Sequence, residues 1–211
     1  MKKKQKRIIL LLVEGWTDET ALLFISTNFS EQYGIKIDIQ SGDITSGTKD
    51  NKPVAARIGA VVNKYIKTHH LQKDDIIFVA QITDSDGVFI KDELVDVENI
   101  SDEQMLIPGE RILVKTMIKQ EHIIERNHFK SRNLDLLINK KTIKDIQYRI
   151  YYVSVNLEHC LHNNPNVSSP EVKRRLAVEF QKNTMTIHRF VGFSKAPKLL
   201  RKVLTKNHGK R

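Results

Sequence analysis

Two aspartates, Asp84 and Asp86, stand at the end of an apolar run with Ser85 between them and Gly87 behind. Carboxylates at i and i+2 of an extended segment point to the same side, so their oxygens can share a hard divalent cation. Gly87 lets the chain turn closely beside them. Magnesium suits such a pair, with manganese as a substitute, because it takes one or two protein carboxylates and keeps its other positions for water and phosphate oxygens. A third acid, Glu14, follows an earlier apolar run, and Asp18 lies four residues further on, the spacing of neighbours on one helix face. Asp18 and Glu19 also have a plain alternative role, since acids in a first helical turn favour the helix dipole.

These acids need elements to position them. The run Ile8 to Val13 lacks alternation and reads as a parallel strand covered on both faces. A helix follows, with Thr17 as N-cap and Leu22, Ile25 and Phe29 on one face. Gly34 to Ile39 alternates as a second strand and leads into a Ser/Gly/Thr-rich loop, Ser41 to Thr48. A second helix starts near Pro53 and carries Val54, Ile58, Val61, Val62 and Tyr65 inward, ending before His69 and His70. Ile76 to Ile82 is the third strand. The order βαβαβ predicts an α/β protein with an open, mainly parallel sheet and helices on both faces, whose sites lie at the carboxyl ends of the strands. Both acid motifs fall there.

Beyond that point the sequence predicts a polar connection through Pro108-Gly109, a mostly helical stretch from Val114 to Leu137, and a fourth strand from Tyr148 to Val155. Ser169-Pro170-Glu171 starts a helix running through Phe180, and Ala196 to Lys206 reads as a short amphipathic helix. The expected organisation is a basic tail over 1–7, an α/β domain over 8–160 and a basic helical extension over 161–211.

Charge divides the chain in the same way. The net charge of +10 resolves into +5 over residues 1–7, −10 over 8–110 and +15 over 111–211. An acidic first half fits a cation site, and a basic second half fits a polyphosphate partner such as DNA or RNA. Arg126, Lys130 and Arg132 form one basic cluster and Lys173, Arg174 and Arg175 another; each is a candidate for holding phosphate, with a solvated helix face as the plain alternative. The single cysteine, Cys160, excludes an intrachain disulfide and a cysteine-based zinc finger. With no apolar run of membrane-spanning length, the expectation is a soluble, cytoplasmic protein without a membrane partner.

Val13-Glu14-Gly15-Trp16-Thr17-Asp18-Glu19 after one strand and Ile82-Thr83-Asp84-Ser85-Asp86-Gly87 after a later one resemble the Toprim domain. That domain occurs in topoisomerases, primases, overcoming-lysogenization-defect (OLD) nucleases and a small ribosomal-RNA maturase. The resemblance covers roughly residues 7 to 90. It implies a Rossmann-like fold, a general acid or base or metal ligand at Glu14, and magnesium held by Asp84 and Asp86. The spacing of Glu14 and Asp18 is closest to the nuclease branch, where the second acid helps to bind metal, and it brings phage defence to mind as a setting. The chain has no GxxxxGK[ST] loop of the kind the OLD ATPase domain carries, which leaves a small stand-alone Toprim protein.

The activity this implies is metal-dependent cleavage or nicking of nucleic acid phosphodiesters. Two alternatives stay open. A degenerate Toprim would bind nucleic acid or a protein partner without cutting. Asp84-Ser85-Asp86-Gly87-Val88 also resembles the nucleophile motif of haloacid dehalogenase-like phosphatases, although that reading leaves Glu14 unexplained and finds no later acidic pair. Glu158, His159, Cys160 and His162 crowd the end of the last strand, where a capping or packing role competes with one as a further ligand or proton donor. Trp16 is a candidate for stacking on a base, against a core or edge contact.

Overall fold

The computed structural model describes residues 7–46 and 52–191. Ile8–Val13 forms β1, in which Leu10 and Leu12 enter one core while Leu11 and Val13 enter another. This two-sided burial explains why the strand shows no polar alternation. Helix α1 (Trp16–Tyr33), β2 (Lys36–Ser41), α2 (Val54–Thr68) and β3 (Ile76–Asp84) follow, as the periodicity predicts. His69 closes α2, its ring 4.4 Å from that of Tyr65, and His70 lies in the left-handed region at φ 50°.

Further along come α3 (Met117–Ile138), β7 (Thr142–Ile143), β8 (Ile146–Val153), α4 (Leu157–His162) and α5 (Pro170–Val191). The main sheet has five strands in the order β2-β1-β3-β8-β7. The pairs β1/β2, β1/β3 and β3/β8 are parallel, and β7/β8 is antiparallel. The protein is thus α/β with a mixed, mostly parallel sheet.

Helices cover both faces. Val54, Ile58, Val62 and Tyr65 of α2 pack with Leu134 and Leu137 of α3 on Leu10, Leu12 and Val79. On the other face Ala21 and Leu22 of α1, Leu157 of α4 and Ala177 of α5 pack on Leu11, Val13, Ala80 and Val153. Each fully buried leucine contributes about 1.5–3 kcal/mol, and truncating Leu10 to alanine is expected to cost about 2–5 kcal/mol.

The segment expected to be a polar connection is instead a second sheet of three short strands, β4 (Val95–Val97), β5 (Gln104–Ile107) and β6 (Arg111–Val114), in the order β4-β6-β5. Three or four residues are too few to display a strand period. What holds them is a separate core of Val95, Leu106, Ile112 and Val114 with Ile123 of α3 and Val155. Pro108-Gly109 makes the β5–β6 turn, with Gly109 at φ 78°. The hairpin joining β7 to β8 also escapes the sequence, because Lys144 and Asp145 take positive φ (53° and 60°) where glycine or asparagine usually signals such a turn.

Smaller differences concern ends. The fourth parallel strand runs over Ile146–Val153 rather than to Val155, and α5 extends beyond Phe180 to Val191. The side chains of Ile25 and Phe29, the loop beyond Ser46 and the helix expected over 196–206 lie outside the described part of the structure. Among the described residues no helix is long and apolar enough to cross a membrane.

Candidate metal centre

β1 and β3 are adjacent and parallel, so the residues that leave their carboxyl ends emerge together. Glu14, Asp84 and Asp86 converge there, each offering a carboxylate oxygen within 4.8 Å of the others. All three are partly buried. Hard oxygen donors with no sulfur or imidazole among them suit magnesium, calcium or manganese.

Two threonines fix Glu14. Thr83 donates its hydroxyl to Glu14 Oε1, and the Thr45 hydroxyl donates to the same oxygen at 3.0 Å. Thr45 is held in turn by the Asp43 carboxylate, which accepts its amide at 3.0 Å, and by Asn133, whose side-chain amide donates to the Thr45 carbonyl at 2.9 Å. The Asp84 carboxylate, in contrast, accepts no hydrogen bond and makes no ion pair among the described residues. Burial first, then repulsion from Asp86, Glu14 and Asp18, pushes its carboxyl well above the usual range. Burial likewise raises Glu14, against the pull of Lys130 and the Thr83 hydrogen bond.

Among the described residues one cation pairs with the cluster. The fully buried Lys130 places Nζ 2.7 Å from Asp86 Oδ2 and 3.0 Å from the Glu14 carboxylate. Burial lowers the ammonium's affinity for its proton, but Asp86 and Glu14 outweigh that and leave its pKa raised. Lys130 therefore belongs to the acid cluster and not to a surface basic patch. It is the middle of a polar stripe on α3: Asn127 donates to the Gly87 carbonyl at 3.5 Å, Lys130 reaches the acids, and Asn133 holds Thr45. Positions three apart share a helix face, so this stripe is what the sequence offered as a signal.

Asp18 has a different task. The helix begins at Trp16 instead of after a Thr17 cap, because the Asp18 carboxylate reaches back and accepts the Gly15 amide at 2.8 Å. It is 8% exposed, and burial raises its pKa to about 6, with that hydrogen bond opposing and Glu158 and Glu14 adding repulsion. Glu19 accepts a hydrogen bond from Ser41 at 2.7 Å.

The turn bearing Asp84 and Asp86 is tied to the end of β8. Ser85 and Asp86 donate their amides to the carbonyls of Val153 (3.1 Å) and Val155 (2.7 Å), and the Val155 amide donates to Ser85 Oγ at 2.8 Å. Asp86 takes φ 45° and Val155 φ 65°. The left-handed region is strained for a β-branched side chain, costing about 1–3 kcal/mol, and the paired amides hold Val155 there. Gly87, at φ 72°, holds a conformation that side chains rarely adopt, and a Cβ there would stand 2.8 Å from Leu106 Cδ1 and force it to shift.

The remaining candidates spread around this centre. Arg126 donates to the Asp86 carbonyl at 3.1 Å, whereas Arg132 is exposed and donates to the His128 carbonyl of its own helix. Lys173 stands 3.8 Å from the buried Glu158, Arg174 lies over the Trp16 ring at 5.9 Å, and Arg175 is exposed. Asn156 caps α4 by accepting the His159 amide, and the His159 ring meets the Ser154 carbonyl at 3.2 Å. Cys160 is exposed, and His162 packs edge-on to Phe180. No protein-family model matches the chain, and no curated protein matches it.

Proposed function

We propose that the chain is a small Toprim-like, magnesium-dependent nuclease that cleaves or nicks nucleic acid phosphodiesters. The observation that carries this reading is Asp84: a partly buried carboxylate beside Glu14 and Asp86, repelled by them and hydrogen-bonded by no described residue. A divalent cation relieves that repulsion. The sheet order, with both acid turns at the carboxyl ends of adjacent parallel strands, is compatible with a Rossmann-like arrangement of the Toprim type.

Glu14, Asp84 and Asp86 would hold the ion, with Asp18 behind Glu14 as the fourth acid. When bound, magnesium stabilises charge on the phosphate and lowers the pKa of coordinated water. Glu14, with one oxygen fixed by Thr45 and Thr83, would take a proton from the attacking water or else complete the metal site. Lys130 keeps Glu14 and Asp86 together, and Arg126 places a guanidinium beside the Asp86 backbone, where a phosphate neighbouring the scissile one can be held.

The test is cleavage of supercoiled plasmid, single-stranded DNA and structured RNA with magnesium, manganese or EDTA. Wild type cuts at least one of them only with metal, and Asp84→Ala loses at least about 100-fold in rate. Metal-independent cutting, or full activity in Asp84→Ala, overturns the reading. One observation favours a second reading, a binder that does not cut: the Lys130 ammonium already bridges Glu14 and Asp86. Salt-sensitive binding of nucleic acid, with no cutting under any metal, would establish it.

A further inference from the structure

Two aromatic side chains stand in the open, one in each acid-bearing turn. Trp16, two residues after Glu14, is 51% exposed, and Phe89, three after Asp86, is 63% exposed. Among the residues whose side chains are described no other phenylalanine, tryptophan or tyrosine is exposed. An isolated apolar side chain at a surface needs no explanation, but two at the rims of one polar centre do.

They follow the ends of two adjacent parallel strands, β1 and β3. Trp16 opens α1, whose Ala21 and Leu22 pack on the face shared with α5, and there Arg174 covers its ring. Phe89 follows Val88, which enters the core under α2 and α3, and α3 supplies the partly buried Arg126 beside Asp86. A guanidinium thus covers the Trp16 ring, and another stands beside Asp86, three residues before Phe89.

We propose that the substrate of this centre is a single strand, or an unpaired stretch, of nucleic acid. It crosses the carboxyl edge of the sheet with one base stacked on Trp16, another on Phe89, and the intervening backbone over Glu14, Asp84 and Asp86. A duplex keeps its base faces stacked on one another and cannot offer them to protein aromatics. An unpaired strand can, and stacking of this kind tolerates any sequence, with arginine adding cation–π contact. The inference rests on the nucleic-acid reading above and narrows its substrate class.

Trp16 is the single tryptophan of the chain, so intrinsic fluorescence reports on it directly. The full-length protein is titrated, in calcium instead of magnesium, with oligothymidine, oligouridine and a DNA duplex of equal length. Either single strand quenches Trp16 and the duplex does not. Phe89→Ala, at an exposed position that folding does not depend on, weakens single-strand binding by between about 5-fold and 100-fold and leaves duplex binding unchanged. Equal quenching by duplex and single strands, no quenching by any, or a Phe89→Ala effect common to all three overturns the inference. Cleavage of the same oligonucleotides in magnesium keeps the two readings apart. A cut duplex with silent Trp16 sinks the single-strand inference alone, whereas quenching by single strands with no cutting upholds it and removes the nuclease.

Discussion

The basic clusters of α3 and α5 look alike in sequence and have opposite fates in the fold. In α3, Arg126 reaches the backbone of the acid turn, Lys130 is fully buried against two acids, and only Arg132 faces solvent. In α5, Arg174 and Arg175 are exposed, and Lys173 stands at the edge of Glu158. The difference teaches that a lysine is placed by the charge it must neutralise. The acid cluster, gathered by strand ends, cannot close without a cation, and α3 brings one through the core.

The largest expected effect separates the two helices at once. Lys130→Met leaves buried acids uncompensated, so stability in EDTA falls by roughly 3–5 kcal/mol, measured by urea unfolding. Magnesium recovers part of that loss in the variant by replacing the missing positive charge. Lys173→Met, at a partly exposed ion pair, shifts the same curve by about 1 kcal/mol or less. Equal effects would erase the contrast.

Removing an acid acts in the other direction. Asp84→Asn relieves repulsion and raises the metal-free melting temperature by roughly 2–4 °C, while abolishing the rise that magnesium gives the wild type. Thermal melts with EDTA and with magnesium check both halves.

The pH dependence follows from the same crowding. The folded state holds the Asp18 proton up to about pH 6, against an ordinary value of 3.8, so the folded state binds more protons than the unfolded chain across that window. Metal-free stability is therefore highest below pH 4 on this account and declines as pH rises to about 6, with Glu14 and Asp84 pulling the same way. Metal affinity climbs over the same range, because the cation competes with those protons. Isothermal titration of magnesium at pH 5, 6 and 7 measures it, and Asp18→Asn flattens the Asp18 part.

The smallest effects belong to the exposed arginines. Arg174→Ala lowers by about one the slope of log binding constant against log salt for a nucleic acid strand, with folding unchanged. Arg132→Ala alters stability by less than about 0.5 kcal/mol.

Much of the fold and the three central acids were legible in the sequence because their signals are local. β1 is a pure apolar run, α2 carries its apolar residues at helical spacing, and Asp84 closes a strand, whereas Asp86 reaches the acids from a turn at φ 45° and not from the extended segment that its spacing suggested. What escaped depends on distant partners. The strands β4 to β6 are too short to show a period and cohere through Ile123 and Val155. Thr45 lay inside a loop read only as polar, and its contact with Glu14 needs the parallel pairing of β1 with β2. Lys130 was visible as a charge, but its burial is decided by acids 44 and 116 positions away.

The amides that join Ser85 and Asp86 to Val153 and Val155 also order events in time. The acid turn cannot take its final shape until β8 has docked beside β3, after more than sixty intervening residues have been laid down. Contacts so remote in sequence form slowly, since the loop between them must close first. A chain growing from its amino end carries Glu14, Asp84 and Asp86 well before Lys130 and Val155 exist. The final shape of the acid turn therefore waits on the last strand of the parallel sheet, although the residues that bear its charge are made first.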